Sequence, residues 1–414
     1  MIHTKIQFYP ASGHLFQVGV ISDTQLPVTP GHLRKSDIYV RNLTRALTAF
    51  KNRGVDMILF AGDIGDLGTR FAFRTYMRTI DQVFGPERPI IQTIMGNHDY
   101  WSKSFLTWNP HRLDFQRIVG VPAWTHYVVN GYHFIGASPD SGNMTNGYRK
   151  VLPWLEQEII AAEQDTPDRP IFVMTHNQPK NTSYGAEDWG DIGLGSVFER
   201  HPNVVNFSGH VHYSLLDERS IWQGGYTVIN TQSLSYTELE PGKENGTIPP
   251  NAECTPMGYL MTFGEDAIQI HRLRFSDGAM GEEEKADRLW SLPLPYVNDG
   301  RYSFESRRER NQPPFFSTTE GGRSLRAGSG VCLEFPAGED DDFVHSYKIV
   351  IDGNQTQYYF SDFYNGLEQM CKTVHLELKS LDQPDREHTF DIYAVDSWGA
   401  ESAQPLHIQL PARV

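Results

Sequence analysis

Oxygen and nitrogen donors suited to divalent cations recur in five short polar stretches of this chain. They read Ser22-Asp23-Thr24-Gln25, Gly62-Asp63-Ile64-Gly65-Asp66, Gly96-Asn97-His98-Asp99, Thr175-His176-Asn177 and Gly209-His210-Val211-His212. Singly, each has an ordinary reading: Asp after a strand is a common turn residue, Gly-Asn is turn chemistry, and a lone His is usually a satisfied polar group. Together they offer carboxylate, amide and imidazole donors, which hard-to-borderline divalent ions take. A carboxylate can bridge two such ions, and two ions can clamp the attacking and leaving oxygens of a phosphoryl transfer. In His210-Val211-His212, extended backbone points both imidazoles the same way, whereas a curved loop lets them reach different ions.

Each stretch directly follows an apolar run: Phe16 to Ile21, Met57 to Phe60, Ile90 to Met95, Ile171 to Thr175 and Val204 to Phe207. Between the first two runs, Tyr39, Leu43, Ala46, Leu47 and Phe50 repeat at helical spacing before Gly54. Phe73, Met77, Ile80 and Phe84 predict a second helix ending at Gly85. Alternating strands and helices predict a layered α/β domain, with the donor loops at the carboxyl ends of strands, where open sheets place ligands. Strand-like segments at Tyr226 to Ile229 and Ile268 to Leu273 are expected to complete its sheets, giving a domain over residues 1–290. Residues 291–315 are rich in Pro, Arg and Asn and read as a linker. Residues 316–414 carry short strand candidates, Tyr347 to Ile351, Val374 to Leu378 and Thr389 to Val395, expected to form a small β-sandwich. The stretch Tyr393-Ala394-Val395-Asp396-Ser397-Trp398-Gly399 resembles the last strands of fibronectin type III or immunoglobulin-like modules.

As an ordered set the five stretches resemble the calcineurin-like metallophosphoesterases, whose pattern runs Asp-x-His, Gly-Asp-x-x-Asp, Gly-Asn-His-Asp/Glu, an isolated His and Gly-His-x-His. The likeness extends through Ser235-Tyr236 and Glu238-Leu239-Glu240, similar to bacterial members with a C-terminal sandwich module. It implies a layered α/β/β/α sandwich holding two divalent ions, with Mn, Fe, Zn or Mg all open. Asp23, Gln25, Asp63 and His212 would hold one ion, and Asp63, Asn97, His176 and His210 the other, with Asp63 as the bridge. It further implies in-line attack on phosphorus by a hydroxide shared by the ions, His98 as general acid or phosphoryl donor, and Asp66 orienting its imidazole. Gln25 departs from the family, standing where most members have histidine. Subgroups similar to the manganese-dependent ADP-ribose pyrophosphatases also carry glutamine there, and its amide oxygen is a weaker donor than imidazole.

The expected activity is hydrolysis of small phosphodiesters, nucleotide-type pyrophosphates or phosphomonoesters, the resemblance at Gln25 favouring diesters or pyrophosphates. A second class is a catalytically silent scaffold on the same fold, with the C-terminal module binding an unknown partner. Retention of Asp63, His98, His176, His210 and His212 separates them, because a silent scaffold is expected to lose such groups. The formal charge of -15 argues against a nucleic-acid polymer as partner, since phosphate backbones are held by many basic side chains. A small phosphorylated substrate stays compatible, because bound cations reverse the local field. Tyr100, Trp101, Trp108, Tyr184, Trp189 and Tyr236 are stacking candidates, and Lys103, Arg149, Lys180 and Arg219 phosphate-contact candidates; ordinary loop aromatics and surface charges are the competing reading. No apolar run approaches a membrane span. Met1-Ile2-His3-Thr4-Lys5 lacks a secretory pattern, so the expectation is cytoplasmic, or secreted if a leader has been removed. Cys254, Cys332 and Cys371 make no disulfide framework and are expected as buried free thiols ahead of a Cys332–Cys371 bridge.

Overall fold

A computed structural model describes residues 4–5, 14–29, 33–101, 111–275, 280–282, 289–327, 330–378, 381 and 385–412. The described chain forms two compact units: 1–215, 219–238 and 250–304, and 216–218, 239–249 and 305–414.

The first unit begins with β1 (Thr4–Lys5), β2 (Gln17–Ile21), α1 (Leu33–Arg53), β3 (Met57–Phe60), α2 (Arg70–Phe84), β4 (Ile90–Thr93) and α3 (His111–Val119). There follow β5 (Trp124–Val129), β6 (Tyr132–Ala137), α4 (Leu152–Asp165), β7 (Ile171–Thr175), α5 (Ala186–Trp189), α6 (Gly195–Phe198) and β8 (Val204–Ser208). It closes with β9 (Ile221–Gln223), β10 (Thr227–Asn230), β11 (Met257–Phe263), β12 (Ala267–Phe275), β13 (Met280–Glu282) and β14 (Trp290–Pro293). One mixed sheet runs β1-β5-β6-β7-β8-β10-β9, the other β13-β12-β11-β2-β3-β4 with β14 also on β12.

The central strands β2, β3, β7 and β8 are covered on both faces, which is why their sequences are continuous apolar runs rather than alternating ones. Outside β2 and β3, the α1 and α2 residues Leu43, Leu47, Phe50, Phe73, Tyr76 and Ile80 fill one core. On the far side Leu155, Ile159 and Ala162 of α4 and Val197 and Phe198 of α6 fill another over β6 and β7. Between the sheets, Phe172 of β7 stacks on Phe134 at 5.2 Å and meets Phe263 of β11 edge-on at 5.7 Å. The result is an α/β/β/α sandwich. Asp23, Asp63 and Asn97 follow β2, β3 and β4 of one sheet, and His176 and His210 follow β7 and β8 of the other, so the donor loops leave the same ends of both sheets.

The second unit has α7 (Phe304–Arg310), β15 (Arg323–Ala327), β16 (Gly330–Pro336), β17 (Ser346–Ile351), β18 (Gln355–Phe360), β19 (Thr373–Glu377), β20 (His388–Val395) and β21 (Leu406–Leu410). Antiparallel sheets β15-β16-β19 and β18-β17-β20-β21 close over Leu333, Phe335, Ile349, Phe390, Ile392 and Leu406, an all-β sandwich. Its inner and outer residues alternate along β16 and β21, the period-2 pattern of a strand with one wet face. The segment 239–249 belongs to this unit: Glu244 N–H donates to the Tyr358 carbonyl at 2.8 Å, and Phe360 N–H to Asn245 Oδ1 at 3.0 Å. Within the stretch expected as a linker, β14 pairs with β12 and α7 is helical. All three cysteines are free thiols; Cys254 and Cys371 are exposed and Cys332 half-buried, so burial was the wrong expectation. Among the described residues no helix is long and apolar enough to cross a membrane.

Candidate metal centre

The first two donor loops are laced together by main-chain bonds: Asp23 N–H to the Gly62 carbonyl (2.9 Å), Gln25 N–H to that of Asp63 (3.1 Å) and Leu26 N–H to that of Ile64 (2.8 Å). A loop after β10 seals them, with Ser235 N–H and Ser233 Oγ–H both donating to the Asp23 carbonyl at 3.0 Å. Asp23, Gln25, Asp63, His210 and His212 have φ between 41° and 77°, half of the ten described non-glycine residues with positive φ. Left-handed backbone costs an L-residue about 1–2 kcal/mol. Five such residues concentrated in three loops mark a place where side-chain direction outweighs backbone comfort.

That direction is inward. Ligand atoms of Asp23, Asp63 and His176 all lie within 4.8 Å of one another, and the three residues are buried. The His176 Nδ1–H donates to the Ala61 carbonyl at 2.8 Å, which leaves Nε2 facing Asn97 Oδ1 (2.9 Å), Asp63 Oδ2 (3.3 Å) and Asp23 Oδ1 (4.0 Å). His212 repeats the device: Nδ1–H donates to the Tyr236 carbonyl at 3.0 Å, and Nε2 faces Asp23 Oδ1 at 3.2 Å and the Gln25 amide at 3.5 Å. Anchoring one imidazole nitrogen on a carbonyl fixes the other as a donor, the usual outer-shell arrangement of ligating histidines. His210 N–H reaches both oxygens of Asp23 at 3.2 Å, and its Nε2 is buried with no hydrogen-bond partner. An orphaned imidazole nitrogen beside buried carboxylates fits a cation, because an unmet polar atom is otherwise costly.

The electrostatics agree. Burial pushes the Asp63 carboxyl up, but His176, His98 and His210 pull it well below the usual carboxylate range. Burial lowers His176, yet the charge of Asp63, its hydrogen bond and Asp23 raise it to about 9. Burial and neighbouring His176 hold His210 well down. Burial opposes and Asp23 drives a rise at His212. A buried carboxylate so placed favours positive charge beside it, which a bound cation would supply.

His98 opens a single 3-10 turn, His98–Tyr100, and its N–H donates to Asp63 Oδ1 at 3.0 Å. Its ring Nδ1–H donates to the Asp66 main-chain carbonyl at 3.0 Å, the Asp66 carboxylate standing 3.8 Å away and 61% exposed. Asp66 therefore orients the imidazole by its backbone. Asp99, quoted in the third stretch and given no role there, accepts N–H bonds from Ile64 (3.1 Å), Gly65 (3.1 Å) and Gly96 (2.9 Å) and ties the second and third loops together. Burial and the charge of Asp63 push its carboxyl up to about 7 against those three donors.

Two motif glycines are required by close approach. A Cβ on Gly96 would lie 2.1 Å from Asp63 Oδ1, and one on Gly209 would lie 2.1 Å from Asp23 Oδ2 and 2.8 Å from Ser22 Oγ. Gly209→Ala is expected to displace the Asp23 carboxylate and weaken Mn²⁺ binding by roughly 10–100-fold, the range of disturbed ligand support. Overpacking should cost about 1–3 kcal/mol of stability. Calorimetric titration of both proteins checks this; unchanged affinity would remove Asp23 from the ligand set.

The remaining sequence candidates divide. Trp101 lies on the His98 ring at 4.1 Å, Tyr236 on His212 at 4.4 Å, and Trp189 is edge-on to His210 at 6.2 Å. Tyr100 instead donates its buried hydroxyl to the Pro139 carbonyl, and Tyr184 is buried between Tyr213 and the Arg219 guanidinium. Arg149 and Lys180 are exposed, and Lys103 and Trp108 lie outside the described residues.

The sequence profile of the calcineurin-like phosphoesterases matches residues 16–214. Among solved structures, the chain is similar to a dimetal phosphatase from Danio rerio, with 14% identity, TM-score 0.41, and 68% of this chain and 99% of that one covered. It is also similar to a purple acid phosphatase from yellow lupin (Lupinus luteus) seeds, with 13% identity, TM-score 0.45, and 69% and 55% covered. A third is Vps29 complexed with zinc from Entamoeba histolytica, with 13% identity, TM-score 0.31, and 67% and 99% covered. No curated protein matches the chain. Residues 16–214, which carry every donor described above, belong to the calcineurin-like phosphoesterase family.

Proposed function

We propose that the chain is a dinuclear metal-dependent phosphoesterase acting on small phosphodiesters, pyrophosphates or phosphomonoesters. The observation that carries this reading is the convergence of Asp23, Asp63 and His176 with an orphaned His210 Nε2 beside them. Asp23, Gln25, Asp63 and His212 would hold one ion and Asp63, Asn97, His176 and His210 the other. Two divalent ions bound there would depress the pKa of water and draw charge from the phosphoryl oxygens. The chain's own residues do the rest. Asp63 contributes charge to both positions, and carbonyls of Ala61 and Tyr236 keep His176 and His212 in the ligating tautomer. His98, with Nδ1 held by Asp66, presents Nε2 on the Asp63 side at 3.9 Å, where it can give a proton to the departing oxygen. The test is hydrolysis of phosphomonoesters, phosphodiesters and pyrophosphates by the chain loaded with Mn, Fe, Zn or Mg. Metal-dependent turnover of at least one class is expected, and no turnover by a fully loaded chain would defeat the reading.

Gln25→His is expected to tighten the first metal position for Zn²⁺ more than for Mn²⁺, because imidazole suits later first-row ions and an amide oxygen suits Mn or Mg. The Gln25 amide already lies 3.5 Å from His212 Nε2, beside the proposed first position. Parallel Mn and Zn titrations decide it, and unchanged affinity for both ions would show that Gln25 is not a ligand.

A further inference from the structure

We infer that the site prefers phosphodiesters, monoanions with an organic group on each side of phosphorus, over dianionic phosphomonoesters; the inference rests on the phosphoesterase reading above. Three of the site histidines each have an aromatic ring beside them, drawn from three separate segments of the chain. Trp101, after β4, lies 4.1 Å from His98; Trp189, ending α5, lies 6.2 Å from His210 at 86°; Tyr236, after β10, lies 4.4 Å from His212. These rings retain surface, Trp189 being 37% exposed and Trp101 and Tyr236 half-buried. That separates them from Tyr100 and Tyr184, loop aromatics that are buried on partners of their own. A ring beside each histidine offers apolar area for a carbon substituent and no counter-charge for a phosphoryl oxygen.

Among the described residues, acidic side chains stand beside two of the same histidines. Asp66 Oδ1 stands 3.8 Å from His98 Nδ1, and Glu238, whose N–H donates to the His212 carbonyl at 3.0 Å, acts on both His212 and Tyr236 by its charge. With two cations bound the field at phosphorus is positive, so these carboxylates act at the rim, where a phosphoryl oxygen turned away from the ions would meet them and an ester's organic arm would meet a ring instead. In the reaction a water oxygen bonds to phosphorus and the P–O bond to one organic group breaks. The departing oxygen takes a proton from His98. The products are an alcohol and a phosphomonoester, which the same rim disfavours as a second substrate.

The test uses the full chain with Mn²⁺ at neutral pH and three probes sharing one leaving group: bis(para-nitrophenyl) phosphate, methyl para-nitrophenyl phosphate and para-nitrophenyl phosphate. Both diesters should show kcat/KM about tenfold or more above the monoester, so the bis-aryl ester should release its first nitrophenol in a fast phase and its second correspondingly more slowly. Trp189→Ala and Tyr236→Ala are made separately. At least one should shrink the preference for the bis-aryl over the methyl ester by about tenfold, the effect of one well-placed ring contact. A monoester turned over as fast as the diesters, or both nitrophenols of the bis-aryl ester released in one phase, overturns the inference and leaves the phosphoesterase reading standing. An unchanged ratio in both variants overturns the role of the rings. No turnover of any probe by a metal-loaded chain overturns both.

Discussion

Asp63→Asn is expected to lose most of its affinity for both ions and to lower turnover by more than about 10²-fold, beyond what disturbing an outer-shell partner does. In the proposed ligand set Asp63 serves both ions: its Oδ2 is 3.3 Å from His176 Nε2 and 3.9 Å from His98 Nε2, and its Oδ1 accepts the His98 N–H at 3.0 Å. The substitution keeps shape but removes the charge, and it turns one oxygen into a donor that faces imidazole nitrogens. Its position is demanding in other ways, with φ at 53° and the Gly96 backbone packed against the carboxylate. Asparagine tolerates the left-handed region, so the variant should fold. Elemental analysis after dialysis against metal-free buffer is the check. A folded variant that still holds two equivalents tightly places the bridge elsewhere.

His98→Ala is expected to retain both ions and to lose roughly 10²–10⁴-fold in turnover, the usual contribution of a positioned acid or base. Its ring is set by two contacts, the Asp66 carbonyl at 3.0 Å and the Trp101 indole at 4.1 Å, so in the proposed mechanism its removal deletes the proton donor and no metal ligand. A contrasting variant tests that geometry. Asp66→Ala removes an exposed carboxylate 3.8 Å from the imidazole and leaves the carbonyl that holds it, so its effect should be a few-fold at most. Single-turnover rates on an unactivated ester distinguish the two. Near wild-type rates for His98→Ala contradict its role, and equal losses in both variants return the orienting function to the carboxylate.

Much of the first unit was legible because its signals are local. Continuous apolar runs such as Met57 to Phe60 and Ile171 to Thr175 are strands buried on both faces, and each ends in its donor loop. What was missed depends on contacts between distant residues. Nothing in Gly96-Asn97-His98-Asp99 says that Asp99 turns inward to gather three amides, or that His98 is held by a carbonyl rather than a carboxylate. The hairpin of β5 and β6 carries a turn signal, Asn130-Gly131 with φ of 49° and 75°, but the flanking residues include His126 and His133 and dilute the apolar pattern that would mark its strands. The helix α7, rich in Arg and Glu with no buried residue, gives no amphipathic period to detect. The grouping of 239–249 with the C-terminal sandwich is likewise a tertiary fact, resting on bonds such as Glu244 to Tyr358 across more than a hundred residues.

The most direct test of a dinuclear phosphoesterase is stoichiometric titration of the metal-free chain with Mn²⁺, with hydrolysis of a phosphoester as the readout. The account predicts negligible turnover without metal and a rate that rises until two equivalents per chain are bound. Turnover that survives complete metal removal, saturates at one equivalent, or never appears at two would contradict it.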